Sequence, residues 1–251
     1  LWKESITRTS SGCANAVDTG SVNIRIGAAA GGSARSVTTT AGGIDADADL
    51  LSTVTSESEG LNFSLVSAGD IATSADNDSS VTGHLGDNVS VNVQNGDFDF
   101  LLNLDGVSRG LATVAAGGAV AVAMSETDVH FDPSANLTVG TGGKINADGN
   151  VNLMARINHD GANFLDQDPN HDGDIVADGR GAIGTADNAS GGAVDVSTGD
   201  VDVGANSTLT IDIASGATLT TDGGDVNIQG LHSNTAFSAF SRKGGGVVSV
   251  G

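Results

Sequence analysis

The chain has no tyrosine, one tryptophan and 7 phenylalanines in 251 residues, which excludes a thick aromatic core of the ordinary globular kind. Cys13 is the single cysteine, so neither an internal disulfide framework nor a thiolate metal site can form, and it reads as a small buried residue. Basic residues are few: 10 Lys and Arg stand against 31 Asp and Glu, a formal charge of −21. They are scattered, at Lys3, Arg25, Arg109, Lys144 and Arg242 among others, whereas a polyanionic partner needs clustered cations. Nucleic acid and anionic membrane surfaces are therefore disfavoured as partners. No apolar run approaches the length of a membrane span, so no membrane insertion is expected. Sustained 3.6-residue apolar periodicity is also missing, and 37 glycines are too many for helix interiors.

What is abundant is Val, Ala, Gly, Asn and Asp, arranged in short segments. Runs such as Ala119-Val120-Ala121-Val122-Ala123 and Val201-Asp202-Val203 are strand-like and bounded by Gly turn signals, which argues against disorder despite the charge. Val-Asn followed by an aliphatic residue recurs at Val22-Asn23-Ile24, Val91-Asn92-Val93, Val151-Asn152-Leu153 and Val226-Asn227-Ile228, at spacings of 69, 60 and 75 residues. This predicts imperfect repeats starting near 22, 91, 151 and 226, within one continuous unit over 1–251.

The expected fold is all-β, a parallel β-helix (β-solenoid) with a narrow interior of small side chains. An array of β-sandwich domains is the alternative. Rungs of roughly 20 to 25 residues stacked about 4.8 Å apart would make a rod of about 50 to 60 Å. The chain opens Leu1-Trp2-Lys3 and stops at Gly251 in mid-pattern, so a piece of a longer protein is expected.

Asn146-Ala147-Asp148-Gly149-Asn150-Val151-Asn152-Leu153 and Thr221-Asp222-Gly223-Gly224-Asp225-Val226-Asn227-Ile228, with Gly244-Gly245-Gly246-Val247-Val248 beyond, carry a resemblance. The pattern resembles the repeats of giant secreted bacterial surface proteins, the filamentous-haemagglutinin-like and leukotoxin-like filamentous adhesins. It covers most of residues 86–251 and is weaker over 1–85. The resemblance implies a right-handed parallel β-helix at the cell exterior or cell surface, used as a rigid stalk, filament or adhesive segment without catalytic residues. Expected partners are the chain itself or neighbouring repeats, and a cell-surface or glycan ligand.

One segment has the chemistry of a cation site. Asp166, Asp168, Asn170, Asp172, Asp174 and Asp178 offer oxygens at alternate positions around Gly173, as a calcium loop does. Position 12 of such a loop falls on Gly179, so the match is incomplete, and residues 160–180 are expected to project as an acidic loop. Asp45, Asp47 and Asp49 alternate and should share one solvent face. The five histidines read as surface residues rather than ligands. For a carbohydrate lyase or hydrolase on this fold, Asp195 and Asp202 are expected to share a face with other carboxylates, while the lack of Tyr and the single Trp leave little for sugar stacking. An ice-binding type of surface would require threonines at the same place in every rung, and Thr38-Thr39-Thr40 and Thr218-Leu219-Thr220 are only local.

Overall fold

The computed structural model describes residues 2–11, 14–27, 34–163, 180–245 and 248–250. The chain repeats one cycle of strands. The first cycle is β1 (Trp2–Ser11), β2 (Ala14–Asp18), β3 (Ser21–Ile26) and β4 (Arg35–Thr39). The second is β5 (Ile44–Phe63), β6 (Val66–Asn77), β7 (Ser80–Leu85) and β8 (Val89–Val93). The third is β9 (Phe98–Gly117), β10 (Val120–Phe131), β11 (Ser134–Val139) and β12 (Lys144–Ala147). In the fourth, β13 (Val151–Ile157) and β14 (Gly181–Gly191) together replace the long first strand, before β15 (Val194–Ala205), β16 (Thr208–Ile213) and β17 (Thr218–Thr221). A fifth begins with β18 (Val226–His232), β19 (Ala236–Gly244) and β20 (Val248–Val250).

Strands at the same place in successive cycles pair side by side, giving four sheets. Every pairing among the described residues is parallel, with Ile44, Phe98, Val151 and Val226 in one column. Antiparallel β-sandwich modules, the alternative, are not what these strands form. The step from one cycle to the next is 54, 53 and then 75 residues. The expected rung of 20 to 25 residues is thus corrected: each cycle is about twice as wide, and five layers about 4.8 Å apart stack to roughly 20 Å.

Register also separates the four Val-Asn-aliphatic tripeptides. Val151 and Val226 are paired equivalents, but Val22 sits in the third sheet opposite Val81, and Val91 in the fourth opposite Ile145. In the first three instances the tripeptide marks a half-buried strand, apolar in and Asn out, whereas in β18 all three residues are exposed.

Two apolar interiors lie between the sheets. The larger lies between the start of the first sheet, the end of the second, and the third and fourth sheets, and is filled by Phe98, Phe100, Leu102, Leu104, Phe131, Leu137 and Ile145. Phe98 and Phe100 meet edge to face at 6.3 Å. Seven phenylalanines were too few to suggest this, yet three of them concentrate here. The smaller interior is narrow, as composition predicts. There the first- and second-sheet strands run on past the main interior and pack against each other as a flange around Ile71, Ala112, Val114, Ala116, Ala121 and Ala123.

The third sheet makes room for the phenyl ring with Gly83, whose missing Cβ would lie 2.8 Å from side-chain atoms of both Phe100 and Leu102. Any side chain there overpacks a filled core. We expect Gly83→Ala to destabilise by about 1–3 kcal/mol. Adding Phe100→Leu should recover part of that loss in denaturant unfolding; a neutral Gly83→Ala would contradict this packing.

Candidate functional site

Alternation along the strands sorts the outward side chains into columns one cycle apart. On the first sheet, Asp45, Asp99, Asn152 and Asn227 form one column. Asn152 Nδ2 donates to Asp99 Oδ1 at 2.5 Å, and Asn227 Nδ2 to Asn152 Oδ1 at 2.8 Å. Asn146 Nδ2 donates likewise to Asn92 Oδ1 at 2.9 Å on the fourth sheet. These amide ladders tie successive layers together outside the core. At the corner entering the first sheet, Asp97 Oδ1 accepts from the backbone N–H of Asn150, and Asn150 Oδ1 from that of Asp225.

Carboxylates collect on the first two sheets. Asp45, Asp47 and Asp49 do share the outer face of β5. On the second sheet Glu126 and Asp128 align with Asp200 and Asp202 of the next strand. His130 Nε2 lies 2.8 Å from Asp128 Oδ1. Beside them runs an open groove of about 350 Å³ lined by Asn15, Ser74, Glu126 and Asp128. Of Asp195 and Asp202, each expected to share a face with other carboxylates, Asp202 does so beside Asp128 and Asp200, and Asp195 does not. They are seven residues apart on one strand, an odd separation, so Asp202 is exposed while Asp195 is buried inside the flange.

The third sheet differs. Its outer columns are Ser21, Ser80, Ser134 and Thr208, then Asn23, Thr82, Asn136 and Thr210, then Arg25, His84, Thr138 and Asp212. Two columns of three are uncharged hydrogen-bonding groups. The fourth sheet has one such column, Thr38, Asn92, Asn146 and Thr220, beside a column that includes Lys144, so threonines are interrupted by amides and do not form a continuous array.

The flange also carries an apolar patch. The first cycle has no flange, because Ser11 aligns with Glu57 and Ala14 already with Thr73. Leu61, Phe63, Leu65 and Val66 at its second-cycle tip are left 79%, 71%, 79% and 68% exposed.

The acidic segment predicted to hold calcium, Asp166, Asp168, Asn170, Asp172, Asp174 and Asp178, lies outside the described residues, as does Cys13. The chain on either side of it is described: residues 158–180 intervene where β9 needs only Asp105 and Gly106, since Ile157 pairs with Leu104 and Gly181 with Val107. His159, read from sequence as a surface residue, is buried, and its Nδ1 accepts the Gly161 N–H at 2.8 Å. Among the described residues no three His, Cys, Asp or Glu side chains gather as a metal-binding group.

Crowding of like charge shows in the protonation of the outer faces. Asp47 is pushed above the usual carboxylate range by partial burial and then by Asp45, Asp49 and Asp99. Asp99 is raised by burial against the opposing Asn152 hydrogen bond, and Asp105 by burial against the attraction of Arg180. Burial raises Asp76 too, with His130 opposing. Asp160 is lowered, by the backbone amides of Asn163 and Ala162.

Comparison with family models, with curated proteins and with solved structures finds no match.

The four raised carboxylates bind their protons more tightly in the folded than in the unfolded chain. The stability these four groups contribute is therefore fully present below the ordinary value of 3.8 and is lost as pH rises through their elevated values. At low salt the unfolding midpoint should rise as pH is lowered from 7 toward the ordinary carboxylate range, and added salt at pH 7 should act in the same direction. Asp47→Asn should raise the midpoint at pH 7, by a few tenths to about 1 kcal/mol, and weaken the pH dependence. Thermal scans in dilute buffer check this; a flat profile would contradict it.

Proposed function

We propose that the chain winds as a right-handed parallel β-helix and serves as a structural or adhesive segment of a secreted or surface-attached repeat protein of the filamentous-adhesin type. The observation that carries this reading is the unbroken parallel register of equivalent strands over five layers. Handedness follows from the rule that parallel crossover connections are right-handed. A stack of this kind lengthens by adding layers without changing its cross-section, which is the mechanical property a stalk needs.

The outermost strands of the stack suit such lengthening. β3 and β4 on one side, and β16 and β17 on the other, each pair with only one neighbour among the described residues. Val37, Ile213, Val226 and Ile228 on these outer layers are 37% to 50% exposed, in phase with the core. Strand edges with half-covered apolar residues favour further layers of the same pattern, from neighbouring repeats or from another copy. The acidic first and second sheets keep such a stack soluble and suit a saline exterior where salt and divalent cations screen repulsion.

A second reading has one observation in its favour. The uncharged Ser, Thr and Asn columns of the third sheet form a regular hydrogen-bonding surface for a flat or repeating ligand, such as a glycan or ice.

Electron microscopy and fibre diffraction of the native material test the leading reading. It predicts elongated rods with a meridional spacing near 4.8 Å. Discrete compact particles that turn over a glycan would overturn it, and retention on ice or insoluble glycan lost on altering the third-sheet columns would favour the second.

A further inference from the structure

The flange interior changes character between the third and fourth cycles. In the third, Val114 and Ala116 of β9 face Ala121 and Ala123 of β10, an apolar packing. One layer on, at the same registers, stand Asn188 and Ser190 of β14 and Asp195 and Ser197 of β15. Four small apolar side chains have given way to four that carry oxygen. The architecture does not demand the exchange, because the layer beneath holds its shape without it.

All four are more than nine-tenths buried, with Asp195 at 0% and Ser197 at 1% exposure. Their contacts are few. Ser190 Oγ donates to Asp195 Oδ1, and Asn188 Nδ2 donates to the Thr198 carbonyl at 2.5 Å. Asp195 Oδ2, Asn188 Oδ1 and Ser197 Oγ are left without any partner. Two of these three atoms can only accept, so what is missing is a positive or donating group between them. A buried carboxylate oxygen in that condition is strongly unfavourable unless something neutralises it.

We propose that Asn188, Ser190, Asp195 and Ser197 hold a hard, oxygen-preferring cation inside the flange. Asp195 supplies the charge and up to two oxygens, Asn188 its amide oxygen, and the serines their lone pairs. An all-oxygen set without sulfur or imidazole selects calcium or sodium over transition metals, and magnesium keeps too many waters for a buried site. Calcium brings higher affinity, whereas sodium matches the single carboxylate in charge. The ion lies close to the flange tip, where Gly191 and Ala193 are exposed, and it would clamp β14 to β15.

The site is separate from the acidic segment at residues 166–178, and variants distinguish the two. The whole chain, freed of metal, is titrated with calcium or with sodium at constant ionic strength, reading heat and the unfolding midpoint. A saturable rise is expected. It should be lost in Asp195→Asn and retained in Asp168→Asn/Asp172→Asn. Ser197→Ala removes one ligand without stranding a charge, so it keeps the proposal testable if Asp195→Asn misfolds; affinity should fall about tenfold. Identical titrations in wild type, Asp195→Asn and Ser197→Ala would overturn the proposal. So would a wild type insensitive to both ions. An insensitive wild type destabilised by Arg242→Ala would assign neutralisation of Asp195 to Arg242, which aligns with Asn188 one layer on.

Discussion

Parallel pairing of each strand with its equivalent one cycle later is the constraint from which the rest follows. Because pairing is in register, whatever faces inward in one layer faces inward in the next, so Ile44, Phe98, Val151 and Val226 form a continuous apolar column. The same rule stacks Asp45, Asp99, Asn152 and Asn227 outside. A one-residue slip would exchange these two columns, putting carboxylates in the core. Register is therefore held by burial on one side and by side-chain ladders on the other.

Stacking like on like has an electrostatic consequence. A carboxylate repeated at one register meets its own kind about 4.8 Å away, and Asp45 over Asp99 is such a case. The sequence relieves this by substitution along the column: Asn152 and Asn227 follow the two aspartates, and donate to their neighbours instead of repelling them. The third sheet avoids the problem with hydroxyls and amides. Carboxylates are thus concentrated on two faces of the stack, and the third and fourth sheets carry mostly hydroxyls and amides with a few charges such as Arg25, Asp212, Arg35 and Lys144.

Much of this is legible in the residues. Alternating Val and Ala between Gly-bounded corners identifies short strands, and the Asp45, Asp47, Asp49 alternation places all three outside, where they are found. The cycle length was harder to see. Two of the four first-sheet starts read Val-Asn-aliphatic, but the equivalents at Ile44-Asp45-Ala46 and Phe98-Asp99-Phe100 share only the apolar-polar-apolar pattern. The corner before them also varies. Positive φ is supplied by Gly42, Asn95 and Gly223 in three cycles, so no single turn motif marks the repeat. The flange was invisible for another reason: its interior of Ala, Ser and Gly looks like loop composition until two strands bring it together. For the same reason the burial of Asp195 was hidden, since nothing in Val194-Asp195-Val196 says which face is enclosed.

The central claim is the 54-residue register, and engineered cross-linking measures it most directly. In a Cys13→Ser background, cysteines replacing Asn92 and Asn146 occupy outward neighbours on adjacent parallel strands, within the span of about 4.4 to 6.8 Å between Cα atoms that a disulfide needs. Mild oxidation should join them nearly completely and without loss of fold. Cysteines at Asn92 and Asn152, matched by the 60-residue tripeptide spacing but placed in different sheets, should stay apart. Efficient joining of Asn92 to Asn152, with none between Asn92 and Asn146, would contradict the account.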